Sequence, residues 1–241
     1  HHTLVVAQLA VCVVLLVSAG LLTRSLIALA GVNPGFDPDR LLTLQFRLPV
    51  TKYDAEPKIA DMFTRTIAEI RAVPGVDKAS LVRATPLNGN GERFPYEIDG
   101  QAPASRENLP QVHRNIVSAG YFETMKIPRL AGRDFTAEDR AGTEMVAVVN
   151  QTLAKKLSPD GNALGARFRM LDGATPVWLT VVGVVGDARH FQLNERPHDQ
   201  AYLHYLQKPL IFTEIVVRTT SADPMSVANA VRSAIWRVDR D

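Results

Sequence analysis

The chain has 241 residues and a formal net charge of +2, with 27 Lys and Arg against 25 Asp and Glu. It contains no run of basic residues, which excludes the basic patch that nucleic-acid-binding proteins usually carry, so we expect no nucleic acid among its partners. The single cysteine, Cys12, excludes an internal disulfide and a CxxC zinc or redox site.

The first element is an apolar run at residues 4–22, and every Asp, Glu, Lys and Arg lies at or after Arg24. A helix of about 20 residues is long enough to cross the hydrocarbon core of a bilayer, which is about 30 Å thick. The run therefore predicts a transmembrane helix that ends before Pro34 and Gly35. His1 and His2, a tag remnant or native residues, are left out of the argument.

Two other interpretations of residues 4–22 stay open. A buried core helix is rarely so long and so uniformly apolar. A cleaved signal peptide fits the small residues at 18–20, but a basic n-region is missing and the apolar run is longer than usual. For a transmembrane helix, we expect Leu26, Ile27 and Leu29 to face a partner helix where the chain leaves the membrane.

The residues after this helix predict a β-α-β unit. Apolar residues alternate with polar ones from Leu42 to Leu48, which is typical of a half-buried strand. A helix follows at residues 56–73, with one apolar stripe, and Pro74-Gly75 ends it. Residues 76–83 are predicted to form the second strand.

The C-terminal part repeats the strand-helix pattern. Residues 212–219 predict a strand, and Asp223 is the expected N-cap of a helix with Pro224 at its first position. The buried stripe of that helix is expected at Val227, Val231, Ala234, Ile235 and Val238. These two modules predict an α+β fold in which a split ferredoxin-like, porter-type α/β subdomain contains an inserted mixed α/β subdomain.

The central part predicts short, mixed elements. Strands are expected at residues 94–98, 112–117, 146–149, 167–170, 177–185 and 202–205, and short helices at 119–125 and 150–157. The turn dipeptide Asp172-Gly173 predicts that 167–170 and 177–185 pair as a hairpin, with 177–185 buried on both faces. Segments 84–93 and 100–110 are expected to be exposed loops.

The predicted organisation has four parts. They are a transmembrane helix and stalk at 1–30, the first part of the porter-like subdomain at 31–92, the inserted subdomain at 93–207, and the second porter-like part at 208–241.

A search for reactive groups predicts no catalytic, cofactor-binding or metal-binding residue. No GxxxxGK[ST] motif is present, and GVVGDARH at residues 183–190 lacks the glycine spacing of a phosphate loop, so a turn after a strand is expected. His190, His198 and His204 lack the short spacing of metal ligands and are expected at the surface, and His113 is expected to be half-exposed.

Two further groups are assigned structural roles. Thr136 and Asp139 are interpreted as a helix-capping box, rather than as part of a catalytic acidic cluster with Asp134 and Glu138. Trp178 and Trp236 lie among apolar residues and are expected to pack in the protein interior.

Six segments together resemble a known family: LVVAQLAVCVVLLVSAGLL, NPGFDPDRLLTLQFRLP, VPGV, SAGYFETMKIPRLAGRDF, VAVVNQTLAKKL and WLTVVGVVGDARH. In this order they resemble the periplasmic core domain of MacB/FtsX-type ABC permeases, especially the duplicated-permease group, over residues 4–241. The resemblance implies a permease of the bacterial inner membrane, with residues after about 31 in the periplasm or extracellular space.

The resemblance also implies partners and a mechanism. The partners are a P-loop ATPase subunit or domain, the other permease transmembrane helices, a second permease copy or internal duplicate, and a possible periplasmic adaptor. The implied mechanism is mechanotransmission, in which ATP-driven motion in the cytoplasm is carried across the membrane for export or periplasmic work. Because this chain has one membrane helix and no ATPase, we interpret it as an excised part of such a permease.

Two other function classes stay open. One is a signal-anchored periplasmic binding or sensor module. The other is a membrane-anchored hydrolase, which needs a pocket where His113 or His190 meets a nucleophile. On the first interpretation the chain is not an enzyme and uses no cofactor, since ATP hydrolysis resides elsewhere.

Overall fold

The computed structural model describes residues 2–89, 91–101, 108–173 and 175–240. The helices are α1 (His2–Ala30), α2 (Glu56–Arg71), α3 (Tyr121–Met125), α4 (Gln151–Leu157) and α5 (Ala228–Val238), and a 3-10 turn at Pro224–Val227 precedes α5. The strands are β1 (Leu41–Arg47), β2 (Val76–Val82), β3 (Glu92–Ile98), β4 (Gln111–Val117), β5 (Arg129–Gly132), β6 (Val146–Asn150), β7 (Arg167–Met170), β8 (Trp178–Val185), β9 (Gln200–His204) and β10 (Phe212–Thr219).

Helix α1 is apolar around its whole circumference. Its segment Thr3–Ile27 has a mean hydropathy of 2.6, and none of its most apolar window is buried against the rest of the described chain. This exposure contradicts the core-helix interpretation and fits a membrane span, although a signal sequence has the same properties. Leu26 and Ile27 are exposed, as a contact with a partner helix requires, and the side chain of Leu29 lies outside the described residues.

The two strand-helix modules form one three-stranded antiparallel sheet. Strand β10 lies between β1 and β2, so that Val217 is opposite Leu42 on one side and Ala79 on the other. Helices α2 and α5 pack against each other beside this sheet and enclose a core that includes Phe63 and Ile70. The predicted α+β fold is confirmed, with β1 and β2 separated by the strand from the other end of the chain.

The central part closes into a ring, which the sequence did not predict. Among the described strands, β4, β3, β7, β8, β6 and β9 pair in that order, and a parallel ladder between β9 and β4 completes the ring. Its core contains Phe168, Leu153 and Leu203. Strand β5, also not predicted, pairs with β8 outside the ring.

The ring and the three-stranded sheet share a third apolar cluster. Val82 and Val216 come from the sheet, and Val117 and Tyr202 come from the ring. The only ladder pair between β2 and β4 is Val82 with Val117, among the residues that the structure describes. The sheet and the ring are joined by this apolar cluster and by two backbone hydrogen bonds, from Arg83 N to Ile116 O at 2.8 Å and from Ser118 N to Leu81 O at 3.0 Å. The boundaries 31–92, 93–207 and 208–241 stay a prediction.

Several local predictions are confirmed and others are wrong. The predicted hairpin of β7 and β8 forms. The structure also has an N-cap that was not predicted, since the Asn150 side chain accepts a hydrogen bond from Leu153 N at 3.0 Å at the start of α4. The prediction of burial is wrong for Val177, which precedes β8 and is 55% exposed, and for Trp236, which is 54% exposed on the outer side of α5. Trp178 is half-buried, with the Arg169 guanidinium 4.8 Å from its ring centroid.

We expect Phe63→Ala to lower the free energy of unfolding by about 3–5 kcal/mol, because the buried ring leaves a cavity in the α2–α5 core. Chemical denaturation of the full chain in detergent micelles measures this. Arg65→Ala, an exposed change on the same helix, is the control and should stay within about 0.5 kcal/mol of the wild-type chain. A Phe63→Ala loss no larger than that of the control would contradict the assigned core.

Candidate functional site

Residues 31–40, here called the tether, connect α1 to β1 and are fixed to the rest of the protein. In the tether backbone, Asp37 N donates to Met125 O at 3.0 Å and Pro34 O accepts from Arg189 N at 2.8 Å. Between them, Gly35 has φ +83°, and a Cβ there would lie 2.0 Å from Asp187 O. Only glycine fits this close approach.

Arg218, near the end of β10, makes the central contact with the tether. Its guanidinium donates to Asp39 O at 2.7 Å and to Asp37 O at 2.8 Å, and its Nε donates to Thr124 O at 2.6 Å. The side chain is 2% exposed. One buried cation therefore joins three parts of the chain: the tether, the end of α3 and the central strand of the sheet.

The charge of Arg218 is compensated by Asp37, whose carboxylate lies 3.6 Å from Nη1. Asp37 also accepts a hydrogen bond from Lys126 at 2.5 Å, and this bond is the main reason why the pKa of Asp37 is lowered. Burial lowers the pKa of Arg218, but a guanidinium stays protonated in proteins. Arg218 therefore stays positively charged at all physiological pH values.

Residues 186–199, here called the strap, connect β8 to β9 and form the second contact with the tether. The Asp187 carboxylate accepts from Asn150 Nδ2 at 2.6 Å and from Thr152 Oγ1 at 2.8 Å, which fixes the start of the strap to α4. Arg189 then bonds the tether through its backbone, and its Nε donates to Asn33 O at 3.3 Å. Residues 183–185 are the last three residues of β8, and residues 186–190 begin the strap without a regular turn.

Two of the four histidines discussed above were wrongly placed at the surface, and a third was expected to be half-exposed. His113, His190 and His204 are all buried, while His198 is partly exposed. The His113 ring centroid lies 5.3 Å from that of His198, 6.5 Å from that of His190 and 4.3 Å from that of Phe191. The strap brings these rings together by folding back across β4, which no local pattern indicates.

The His113 cluster lacks the geometry of a metal site in the part of the chain that the structure describes. No group of three His, Cys, Asp or Glu in the described ranges has the geometry to hold a metal ion. His113 Nδ1 is buried without a hydrogen-bond partner among the described residues. Burial is the main reason why the pKa of His113 falls to about 3, and Arg93, His198 and His190 lower it further.

The acidic cluster has a structural role, but the predicted helix-capping box is wrong. The described residues 134–140 form a turn and no helix. In this turn Asp139 accepts from Thr136 N at 2.8 Å and pairs with Arg133 at 2.7 Å. The carbonyl of Asp139 lies 2.7 Å from His204 Nδ1, so the turn is bonded to the end of β9.

Comparison with known proteins agrees with this architecture. The sequence model of the MacB-like periplasmic core domain matches residues 3–234. The chain belongs to this family. The resemblance that the sequence predicted is therefore confirmed, and the family is the periplasmic part of ABC transporter permeases rather than a catalytic domain.

One solved structure shares the fold at low sequence identity, and a second solved structure is also similar. The periplasmic region of MacB from Actinobacillus actinomycetemcomitans is 14% identical, with a TM-score of 0.50 over 83% of this chain and 82% of that chain. The extracellular domain of the noncanonic ABC-type transporter YknZ from Gram-positive bacteria is 18% identical, with a TM-score of 0.46 over 77% and 87% of the two chains. No curated protein matches the sequence.

We expect Arg218→Met to lower the free energy of unfolding by roughly 3 kcal/mol, because three buried carbonyls lose their donor. Arg218→Lys should lose about half as much, since an ammonium keeps the charge but lacks the planar fork that reaches several acceptors. Chemical denaturation in micelles, with both variants in parallel, tests this order. Equal losses of unfolding free energy in the Lys and Met variants would show that the planar geometry of the guanidinium is unimportant.

Proposed function

We propose that this domain transmits movement between the membrane helix α1 and the periplasmic body of an ABC permease. ATP hydrolysis takes place in a separate P-loop ATPase subunit or domain, and the permease carries the resulting motion outward. The observation that supports this function is the contact of Arg218 with Asp37 and Asp39, which bonds the tether to the central strand of the sheet.

The tether contacts have the properties that a mechanical connection needs. A flexible linker absorbs movement because its ends fluctuate independently. Here Gly35 packs against the strap, and Asp37 and Asp39 are bonded to β10, within a few residues of each other. Since β10 pairs with both β1 and β2, a displacement of the tether acts on the whole three-stranded sheet.

The membrane part of the proposal concerns the partners of α1. Gln8 and Ser18 are polar residues within the span, and polar side chains in lipid favour contacts between helices. We propose that α1 packs in the inner membrane against other permease helices, within one copy or with a second copy. In this arrangement, the residues after about 31 lie in the periplasm, where an adaptor is a further possible partner.

The subdomain boundaries belong to the same proposal. Residues 31–92 and 208–241 contribute the core between α2 and α5, and residues 93–207 contribute the core of the ring. In the first unit, the tether is bonded to the three-stranded sheet. The second unit contacts this sheet through the third apolar cluster and contacts the tether through the strap.

In the complete permease, we expect Arg218→Met to reduce substrate export at least tenfold while ATP hydrolysis continues. The tether would then move without displacing β10. Export and ATPase rates measured together in membrane vesicles test this. Phe63→Ala is a matched control, because it destabilises the same unit by a similar amount without touching the tether. An equal loss of export in both variants would indicate lost stability rather than lost coupling.

We expect replacement of both Gln8 and Ser18 by Leu to leave membrane insertion intact and to weaken helix pairing, because Leu gains nothing over lipid at a helix contact. Cysteine crosslinking between α1 and neighbouring membrane helices of the permease measures the pairing. The control replaces Val6 and Val17 by Leu on the opposite side of the helix. Unchanged crosslinking in the Gln8 and Ser18 variant argues against this contact.

A further inference from the structure

The strap joins two features that the proposed function does not yet connect. On one side it bonds the tether through Arg189, whose N and Nε donate to Pro34 O and Asn33 O. On its other side His190, Phe191 and His198 pack against His113 of β4. His190, Phe191 and His198 therefore lie in the segment that fixes the tether, and His190 directly follows Arg189, which makes the tether contacts.

The cluster is built for neutral imidazoles. His113 is 5% exposed, and its Nδ1 has no hydrogen-bond acceptor among the described residues that could receive an added proton. A protonated His113 would place an N–H cation in this site without an acceptor, which is costly in a buried position.

The surrounding charges make protonation less favourable still. From β3, the Arg93 guanidinium lies over the Phe191 ring at 5.2 Å, and Arg93 is the cross-strand neighbour of His113. At the end of the strap, Asp199 Oδ2 accepts hydrogen bonds from Tyr96 at 3.0 Å and from Lys156 at 2.8 Å, and Asp199 is not among the groups that shift the pKa of His113.

Within the strap, Glu195 is bonded to His198 at 3.0 Å, so it compensates the outer ring of the cluster. The side chains of Arg189 and Arg196 add positive charge to the same segment. A proton added to the cluster would bring a further positive charge to this segment, and like charges repel each other even at the higher effective dielectric near a protein surface.

We propose that acid releases the strap from the tether, and that His113 and the rings packed against it sense the acid. We call this pH-dependent contact between strap and tether the clasp. A proton taken up by His113 separates the strap from β4, and the contacts of Arg189 with Asn33 and Pro34 are lost with it. The tether then keeps its bonds to Arg218 but loses its attachment to the ring. The clasp extends the proposed coupling function, because it acts on the same connection between membrane and body.

The size of the effect follows from proton linkage. The closed strap holds His113 with a pKa of about 3, and an open strap exposes the ring, whose ordinary pKa is 6.5. A depressed pKa stabilises the closed form fully above pH 6.5, and this stabilisation is lost as the pH falls towards 3. Between pH 7 and pH 5, His113 alone increases the open population about 20-fold.

Hydrogen exchange on the full chain in lipid nanodiscs tests the clasp at pH 7.0 and pH 5.0, with rates corrected for the pH dependence of intrinsic exchange. The informative amides are Arg189, bonded to Pro34 O, and Leu87, bonded to His190 O. We expect their corrected exchange to rise about 20-fold at pH 5.0, whereas the amides of α2 stay unchanged. Unchanged strap exchange in the wild-type chain would overturn the proposal.

Two substitutions assign the response to the cluster. His113→Phe removes the titrating group and should reduce the acid response of the strap to less than threefold. His204→Phe makes the same change at a buried histidine outside the cluster and should leave the response intact. If Phe at position 113 speeds exchange in α2, His113→Gln replaces it as the non-titrating variant. A full response in both His113 variants contradicts the clasp.

The exchange experiment is independent of transport. A strap that does not respond to acid, in a permease where Arg218→Met still uncouples export, removes the clasp and leaves the coupling function standing. If the strap responds to acid but export is unchanged by Arg218→Met, the clasp stands and the coupling function is contradicted.

Discussion

The structure depends on one buried guanidinium that must be satisfied. Arg218 has its charge almost completely removed from water, which is tolerable only because backbone carbonyls of Asp37, Asp39 and Thr124 accept its hydrogen bonds. The conformation of the tether and the position of β10 therefore require each other. The sheet order, with β10 in the centre, then places this requirement between the membrane helix and both neighbouring strands.

Much of the secondary structure could be predicted because its signals are local. The apolar stripe of α2 has the period of a helix, and the alternation in β1 has the period of a strand, so each depends on residues within a few positions. The cap at Asn150 is equally local, although it was not predicted. The closed ring could not be predicted, since it depends on pairing between β4 and β9, where His113 lies opposite Gln200 from a distant part of the chain.

The functional contacts were harder to predict than the elements that contain them. Arg218 lies in a correctly predicted strand, on the same side as the buried Val216, and a charged residue at such a position was the one available signal. The histidines gave no signal, because their proximity arises from the path of the strap. Trp236 was predicted to be buried because its sequence neighbours are apolar, but its side chain is exposed.

Closure of the ring has a consequence for a domain that is held at a membrane surface. Tethering raises the local concentration of neighbouring copies, and unpaired strand edges at high concentration promote strand exchange and aggregation. Each described strand of the ring pairs with a neighbouring strand on both sides. Outside the ring, among the described strands, short β5, the outer side of β1 and most of the β2 edge that faces β4 have no strand partner, and β1 carries the polar Thr43, Gln45 and Arg47 there. Closure thus removes the six strands of the ring from pairing between crowded copies.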